Sequence, residues 1–191
     1  MTTFLKSRQL YEASILAYQG DQLYLEENKG QMTSDTPFAI ASISKLYTDA
    51  IVFQLIDQGK LNYDTSLTDI LPPEVTKHLS QAEQVTVRHL LDQISGFPNY
   101  EMDRQMNGKV LIDDLYKADR RVAFEEALEM LAELPAKSCL DGDKAYYADI
   151  NAMLLGKMAE TVTGQTAEQL LEHLICQPLQ LSQTHWATGH D

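Results

Sequence analysis

Two short apolar runs lie near the start of the chain, residues 12–18 and 22–26, with Gln19-Gly20-Asp21 between them. Turn chemistry between two such runs predicts a β-hairpin. From Ser42 to Gly59 the period changes. Ile43, Leu46, Ala50, Ile51, Phe53, Leu55 and Ile56 recur mostly at helical spacing, and Gly59 is placed to stop the helix. Residues 65–84 contain Pro72-Pro73 and read as loop with short turns. Thr86 precedes a short helix through Val87, Arg88, His89, Leu90 and Leu91 that ends near Gly96. Residues 99–118 are polar, Asp-rich and irregular, and are expected to form a flexible insertion. A helix is predicted over 119–134, with Val122, Ala123, Leu128, Met130, Leu131 and Leu134 as its apolar set and Pro135 as its stop. After a turn at Asp141-Gly142-Asp143, a helix over 149–162 is terminated by Gly164. A last helix runs from Thr166 to about Ile175, and Pro178 bars its extension. There is no internal repeat, low-complexity tract or linker, so residues 1–191 are expected to form a single domain. A lone hairpin leaves open strand edges, and this order of elements calls for more strands than the pattern supplies.

Composition narrows the function. Hydrophobic content of 44% and charged content of 23% are ordinary for a globular protein. A formal net charge of −13 opposes encounter with nucleic acid phosphates or an anionic membrane surface. A disulfide between Cys139 and Cys176 does not follow from the sequence, two unpaired thiols in a reducing compartment being the plainer reading, and His78, His89, His173, His185 and His190 have no zinc-ligand spacing. No metal or organic cofactor is implied. The first ten residues lack the apolar core of a secretory signal, and no run approaches membrane-spanning length. The chain as given therefore reads as cytoplasmic, and a processed form of an exported protein would read the same.

Candidate chemistry begins at Ser42-Ile43-Ser44-Lys45. A serine hydroxyl is a weak nucleophile and needs a neighbouring base. On a helix, positions i and i+3 share a face, so Lys45 can reach Ser42 Oγ. The free N–H groups of a first helical turn favour negative charge developing beside the serine. Lys45 accepts a proton only when neutral; otherwise it holds a second base in place. Tyr147 is the candidate for that second base, a phenol able to pass a proton from Ser42 to a leaving group. Each residue alone also has a plainer reading: Ser42 as a helix cap, Lys45 as a solvated side chain, Tyr147 as a half-buried aromatic. Asp49, one turn after Lys45, is a second candidate ion-pair partner, with a solvated helix acid as its plainer reading. His89 reads as structural.

The surrounding text favours the chemical reading. Residues 37–45 (Pro-Phe-Ala-Ile-Ala-Ser-Ile-Ser-Lys) resemble the first motif of the class C β-lactamase family and its relatives among esterases and D-alanyl-D-alanine peptidases. The resemblance continues through residues 54–61, 85–91, Ser95-Gly96-Phe97-Pro98, Asp141-Gly142, Tyr147-Ala148-Asp149, 154–156, 162–164 and 178–181, in the family order. It implies an α/β fold of the serine β-lactamase and penicillin-binding-protein type, an antiparallel sheet plus a helical region. It also implies Ser42 as acylated nucleophile, Lys45 as its partner, and Tyr147 as the tyrosine of the Tyr-x-Asn motif. Asp149 stands where Asn is usual, at a substrate-binding position. An ionised carboxylate only accepts hydrogen bonds, and it can pair with Lys45 and hold it protonated.

A third motif of the family, Lys or His, then Thr or Ser, then Gly on a late strand, has no counterpart after Tyr147. Thr188-Gly189-His190 follows the last helix too closely. The resemblance therefore implies that the late strands are missing. Losing one oxyanion donor typically costs about a hundred- to a thousandfold in turnover. Activity of this chain is therefore expected either to be impaired or to depend on strands supplied by another copy or another polypeptide. The function expected is a serine hydrolase acting on a small ester, amide or β-lactam, with a non-turnover penicillin-binding or sensing module and a catalytically inactive interaction protein as alternatives.

Overall fold

Gly20 and Asp21 form the two-residue loop of the hairpin, closed by the pair Gln19 and Gln22. Gly20 has φ of +58°, a conformation open to glycine at no steric cost. The computed structural model describes residues 4–118, 120–137 and 144–187. It divides into two compact units, Met1–Ile40 and Ala41–Asp191.

In the first unit, strands β1 (Ala13–Gln19) and β2 (Gln22–Lys29) pair antiparallel. Tyr24 is the extra residue of a bulge between the pairs Tyr18–Leu23 and Ala17–Leu25. β2 runs past its apolar stretch because ladder bonds come from the backbone; Glu26, Glu27, Asn28 and Lys29 pair opposite Leu16, Ile15, Ser14 and Ala13. Gly30 follows with φ of +72°, and a Cβ there would lie 2.6 Å from the Tyr11 carbonyl oxygen, so only glycine fits. Among the described residues the sheet has two strands.

The second unit is helical. A 3-10 turn, Ala41–Ile43, leads into α1 (Ser44–Asp57). Ser42 thus lies in the tight turn before the α-helix rather than in its first turn. The buried stripe of α1 is Ile51, Val52 and Leu55, while Ile43, Leu46 and Phe53 are exposed. Apolar residues occur all around this helix, so the sequence period could not choose a face. Short helices α2 (Leu67–Ile70), α3 (Pro73–Thr76) and α4 (Val87–Leu91) follow. Reciprocal capping boxes start α2 at Ser66 and α4 at Thr86. In the second, His89 Nδ1 accepts the Thr86 backbone N–H at 3.1 Å, which accounts for that histidine structurally. α4 stops at Leu91, five residues before Gly96, because Gln93 turns left-handed with φ of +58°.

Residues 99–118 are not a free insertion. Asn99 and Tyr100 are buried, and the segment carries α5 (Leu111–Leu115). α6 (Phe124–Ala132) begins five residues later than its apolar pattern predicts and buries Ala127, Leu128 and Leu131. α7 (Asp149–Thr163) matches its prediction, and Gly164 caps it with φ of +69°. α1 packs against α7, and Val52, Leu55, Ile150, Leu154, Leu155 and Met158 join the core.

The last helix does not stop before Pro178. α8 (Ala167–Leu171) widens into a π-helical turn, Glu172–Cys176, and continues as α9 (Gln177–Leu179). Proline offers no N–H to the carbonyl four residues back. That carbonyl, Leu174 O, instead accepts from Gln54 Nε2 of α1 at 3.1 Å. A tertiary contact therefore replaces the bond whose loss underlies the predicted stop. The Cys176 thiol is free and buried and donates to Thr184 O at 3.4 Å. Cys139, the Asp141-Gly142-Asp143 turn and Thr188-Gly189-His190 lie outside the described residues.

Candidate active site

The site lies wholly within the second unit, where α1 and α7 bring their amino-terminal ends together. Ala41, just before the serine, has φ of +46°, a left-handed conformation that costs a non-glycine residue on the order of 1–3 kcal/mol. The turn presents Ser42 outward. One turn on, Lys45 Nζ donates to Ser42 Oγ at 3.1 Å. From the segment before α7, Tyr147 Oη lies 2.9 Å from Ser42 Oγ. The three side chains selected from sequence thus converge on one oxygen.

Asp149 joins them. Its Oδ1 lies 2.5 Å from Lys45 Nζ, with the lysine and aspartate side chains 19% and 13% exposed. The same Oδ1 accepts from Tyr147 Oη at 3.2 Å. The ammonium also lies 5.1 Å from the centre of the Tyr147 ring. Burial works to lower the Lys45 pKa, but the hydrogen bonds and charges of Asp149 and Tyr147 outweigh it and raise it above the ordinary value. Lys45 is therefore an ammonium at neutral pH. Its ion pair is with Asp149. Asp49 is half-buried, and burial raises its pKa against the opposing charge of Lys45.

Three polar residues that sequence reasoning passed over hold this arrangement. Asn99, 1% exposed, donates from Nδ2 to Asp149 Oδ2 at 3.0 Å and to the Tyr147 carbonyl at 3.3 Å. Its own Oδ1 accepts from the backbone N–H groups of Glu101 and Met102. Gln93 Oε1 accepts from the Ala148 N–H at 3.0 Å and from Asn151 Nδ2 at 2.7 Å, while its carbonyl accepts the Tyr146 N–H. Asn151 Oδ1 accepts from Ser95 Oγ at 2.7 Å. The Ser95-Gly96-Phe97-Pro98 segment therefore acts as a buried clamp on the start of α7. Asn99 directly after Pro98, and Asn151 between Ile150 and the apolar run Ala152-Met153-Leu154-Leu155, were the available signals. A further cluster braces the loop: Asp103 accepts from Tyr146 Oη and the Asn99 N–H and pairs with Lys137 at 3.0 Å. Burial acts to raise the Asp103 pKa, but these hydrogen bonds hold it below its ordinary value.

Chemically, the site offers a nucleophilic hydroxyl, an ammonium, a phenol and a carboxylate in contact. Among the described residues no cluster of metal-ligating side chains occurs, and no helix is long and apolar enough to cross a membrane.

A serine with lysine and tyrosine against it, on the helical part of such a chain, defines the serine β-lactamase and penicillin-binding-protein class. The chain belongs to the β-lactamase family, which it matches over residues 1–190 and so across both compact units. It is 31% identical over 170 residues to a candidate D-alanyl-D-alanine carboxypeptidase of Escherichia coli K12, covering 86% of this chain and 37% of that relative. The chain thus spans little more than a third of that relative's length. A D-stereospecific amidohydrolase from Streptomyces sp. shares the fold with a TM-score of 0.74 at 22% identity, over 90% of this chain and 50% of that one. An octameric penicillin-binding protein homologue from Pyrococcus abyssi gives a TM-score of 0.72 at 25% identity, over 92% of this chain and 40% of that one.

Proposed function

We propose that the protein is a serine hydrolase that forms an acyl-enzyme on Ser42. The observation that carries this reading is the placement of Ser42 Oγ between Lys45 Nζ at 3.1 Å and Tyr147 Oη at 2.9 Å. The ammonium steadies charge building on the serine oxygen, and the phenol is the group positioned to exchange a proton with it. Asp149, in contact with Lys45 and Tyr147, is the residue we assign to substrate binding. The names of the protein's relatives support a small amide, β-lactam or D-alanyl peptide as the substrate class, and the motif resemblance adds a small ester. Among the described residues the sheet has two strands, and the edges of the β1–β2 hairpin are where further strands, of this or another polypeptide, would pair.

The test is intact mass after incubation with a fluorescent penicillin and, separately, with a nitrophenyl ester, followed by peptide mapping. A single adduct on the peptide bearing Ser42, absent in Ser42→Ala, is the expected result. An adduct that persists in Ser42→Ala would refute the reading. Rapid labelling that never turns over would favour a penicillin-binding or sensing module instead.

A further inference from the structure

Asp149 changes where the serine proton can go. Three groups touch Ser42 or its neighbours, and each has a fixed donor capacity. The Lys45 ammonium has only hydrogens to give, so it cannot receive the proton of Ser42. The Tyr147 phenol has one hydrogen and two oxygen neighbours, Ser42 Oγ at 2.9 Å and Asp149 Oδ1 at 3.2 Å. A carboxylate is the stronger acceptor, and it can only accept. With the phenolic hydrogen placed on the carboxylate, one consistent assignment follows. Lys45 donates to Ser42 Oγ and Asp149 Oδ1, Tyr147 donates to Asp149 Oδ1, and the Ser42 hydroxyl donates to Tyr147 Oη. Asn99 Nδ2 donates to the other oxygen, Asp149 Oδ2, and fixes the carboxylate in this orientation.

We propose that Asp149 is the terminal proton acceptor of acylation, reached from Ser42 through Tyr147; this rests on the acyl-enzyme reading above. As Ser42 Oγ bonds to the substrate carbonyl carbon, the carbonyl π pair moves to its oxygen. The serine proton passes to Tyr147 Oη, and the phenolic proton passes to Asp149 Oδ1. On collapse the bond from carbon to leaving group breaks. Tyr147 gives a proton to that group, and Asp149 returns its own to Tyr147, so both end as they began. The asparagine usual at this position has no basic oxygen and could not take this part. Its substitution by aspartate thus moves the base one residue beyond the tyrosine while Lys45 serves as a fixed positive charge.

The groups facing Asp149 are Lys45 from α1, Tyr147 and Asn99 in contact, and Glu101 and Tyr100 of the buried loop through its charge. Asp49 acts on Lys45 from the next turn of α1. Glu101 is raised by burial first and then by the charge of Asp149, with Tyr100 and Lys45 opposing. Among the described residues Glu101 and Asp49 are both placed to imitate Asp149 in a pH profile.

The experiment is the acylation rate of Ser42 by a nitrophenyl ester, in single turnover, from about pH 4 to about pH 9, so as to span the carboxylate range. Wild type is expected to gain rate as a carboxylate ionises. Asp149→Asn is expected to lose that limb and to acylate about a hundredfold more slowly, the size of a general-base contribution. Tyr147→Phe should lose the same limb, Glu101→Gln should keep it, and formate should restore rate to Asp149→Ala. An Asp149→Asn protein that acylates as fast as wild type, or faster, with the limb intact would overturn the relay and leave Asp149 only a lock on Lys45. Loss of the limb in Glu101→Gln alone would assign the base elsewhere and overturn it equally. Absence of Ser42 labelling in wild type would instead remove the acyl-enzyme reading, and the relay with it.

Discussion

Asn99→Asp is the sharpest probe of how the site is held. The substitution keeps the shape of the side chain and the Oδ1 that accepts from Glu101 and Met102, and replaces only the donating Nδ2. That nitrogen lies 3.0 Å from Asp149 Oδ2 in a position 1% exposed. A hydrogen bond to a charged group, worth about 1.5–3 kcal/mol, becomes a contact between two carboxylates. At an effective dielectric of about 20, unit charges about 3 Å apart repel by about 5 kcal/mol. Lys45 offsets part of this, and so does uptake of a proton by one of the two carboxyls. The expected loss of stability is about 3 kcal/mol near neutral pH, read as a fall in urea midpoint without a change in slope. The sign with pH follows from linkage. The folded variant holds a proton that its unfolded chain releases above about pH 4, so its stability falls as pH rises through the carboxylate range. The deficit relative to wild type should therefore shrink toward acid. Asn99→Ala, which removes the donor without adding charge, should show a weaker dependence of the same sign. An Asn99→Asp midpoint equal to wild type at neutral pH, or a deficit independent of pH, would refute the hold of Asn99 on Asp149.

The other expectations concern single contacts. The raised Lys45 pKa contributes stability that is complete below the unfolded value of 10.5 and lost as pH rises through the higher folded value; Lys45→Met should lack that alkaline loss in a thermal-melt series. Gln54→Leu deprives Leu174 O of its donor and should cost about 1 kcal/mol in urea unfolding; in Pro178→Ala, which restores an N–H, it should cost less, and equal costs would break the assignment. Ala41→Val should lower stability by about 1–2 kcal/mol because a β-branched residue is poorly suited to φ of +46°, while Ala41→Gly should retain Ser42 labelling; differential scanning calorimetry and the penicillin adduct check the pair.

The Pro178 stop and the late start of α6 show where reading along the chain is weakest. Proline and apolar period report what the local backbone prefers. Whether a helix ends depends on whether a freed carbonyl finds another donor, and Gln54 lies 120 residues away from the one it serves. The stretch 99–118 misleads for a related reason. Its polar composition suits a solvated loop, yet Asn99 is buried because Asp149, Tyr147 and the Glu101 and Met102 N–H groups satisfy its side chain.

By itself the sequence determined what depends on near neighbours. The Gly20-Asp21 turn, the extent of α7 and its Gly164 cap, and the reach of Lys45 to Ser42 follow from backbone preferences and from spacing over one helical turn. Family text added the order of the motifs and marked Tyr147 and Asp149. Only the tertiary structure brought Tyr147 onto a serine 105 residues away, selected Asp149 over Asp49 as the partner of Lys45, and enlisted Gln93, Asn99 and Asn151. These contacts depend on how α1 packs against α7 and on which buried polar atoms must then find partners, and no local pattern of residues encodes either.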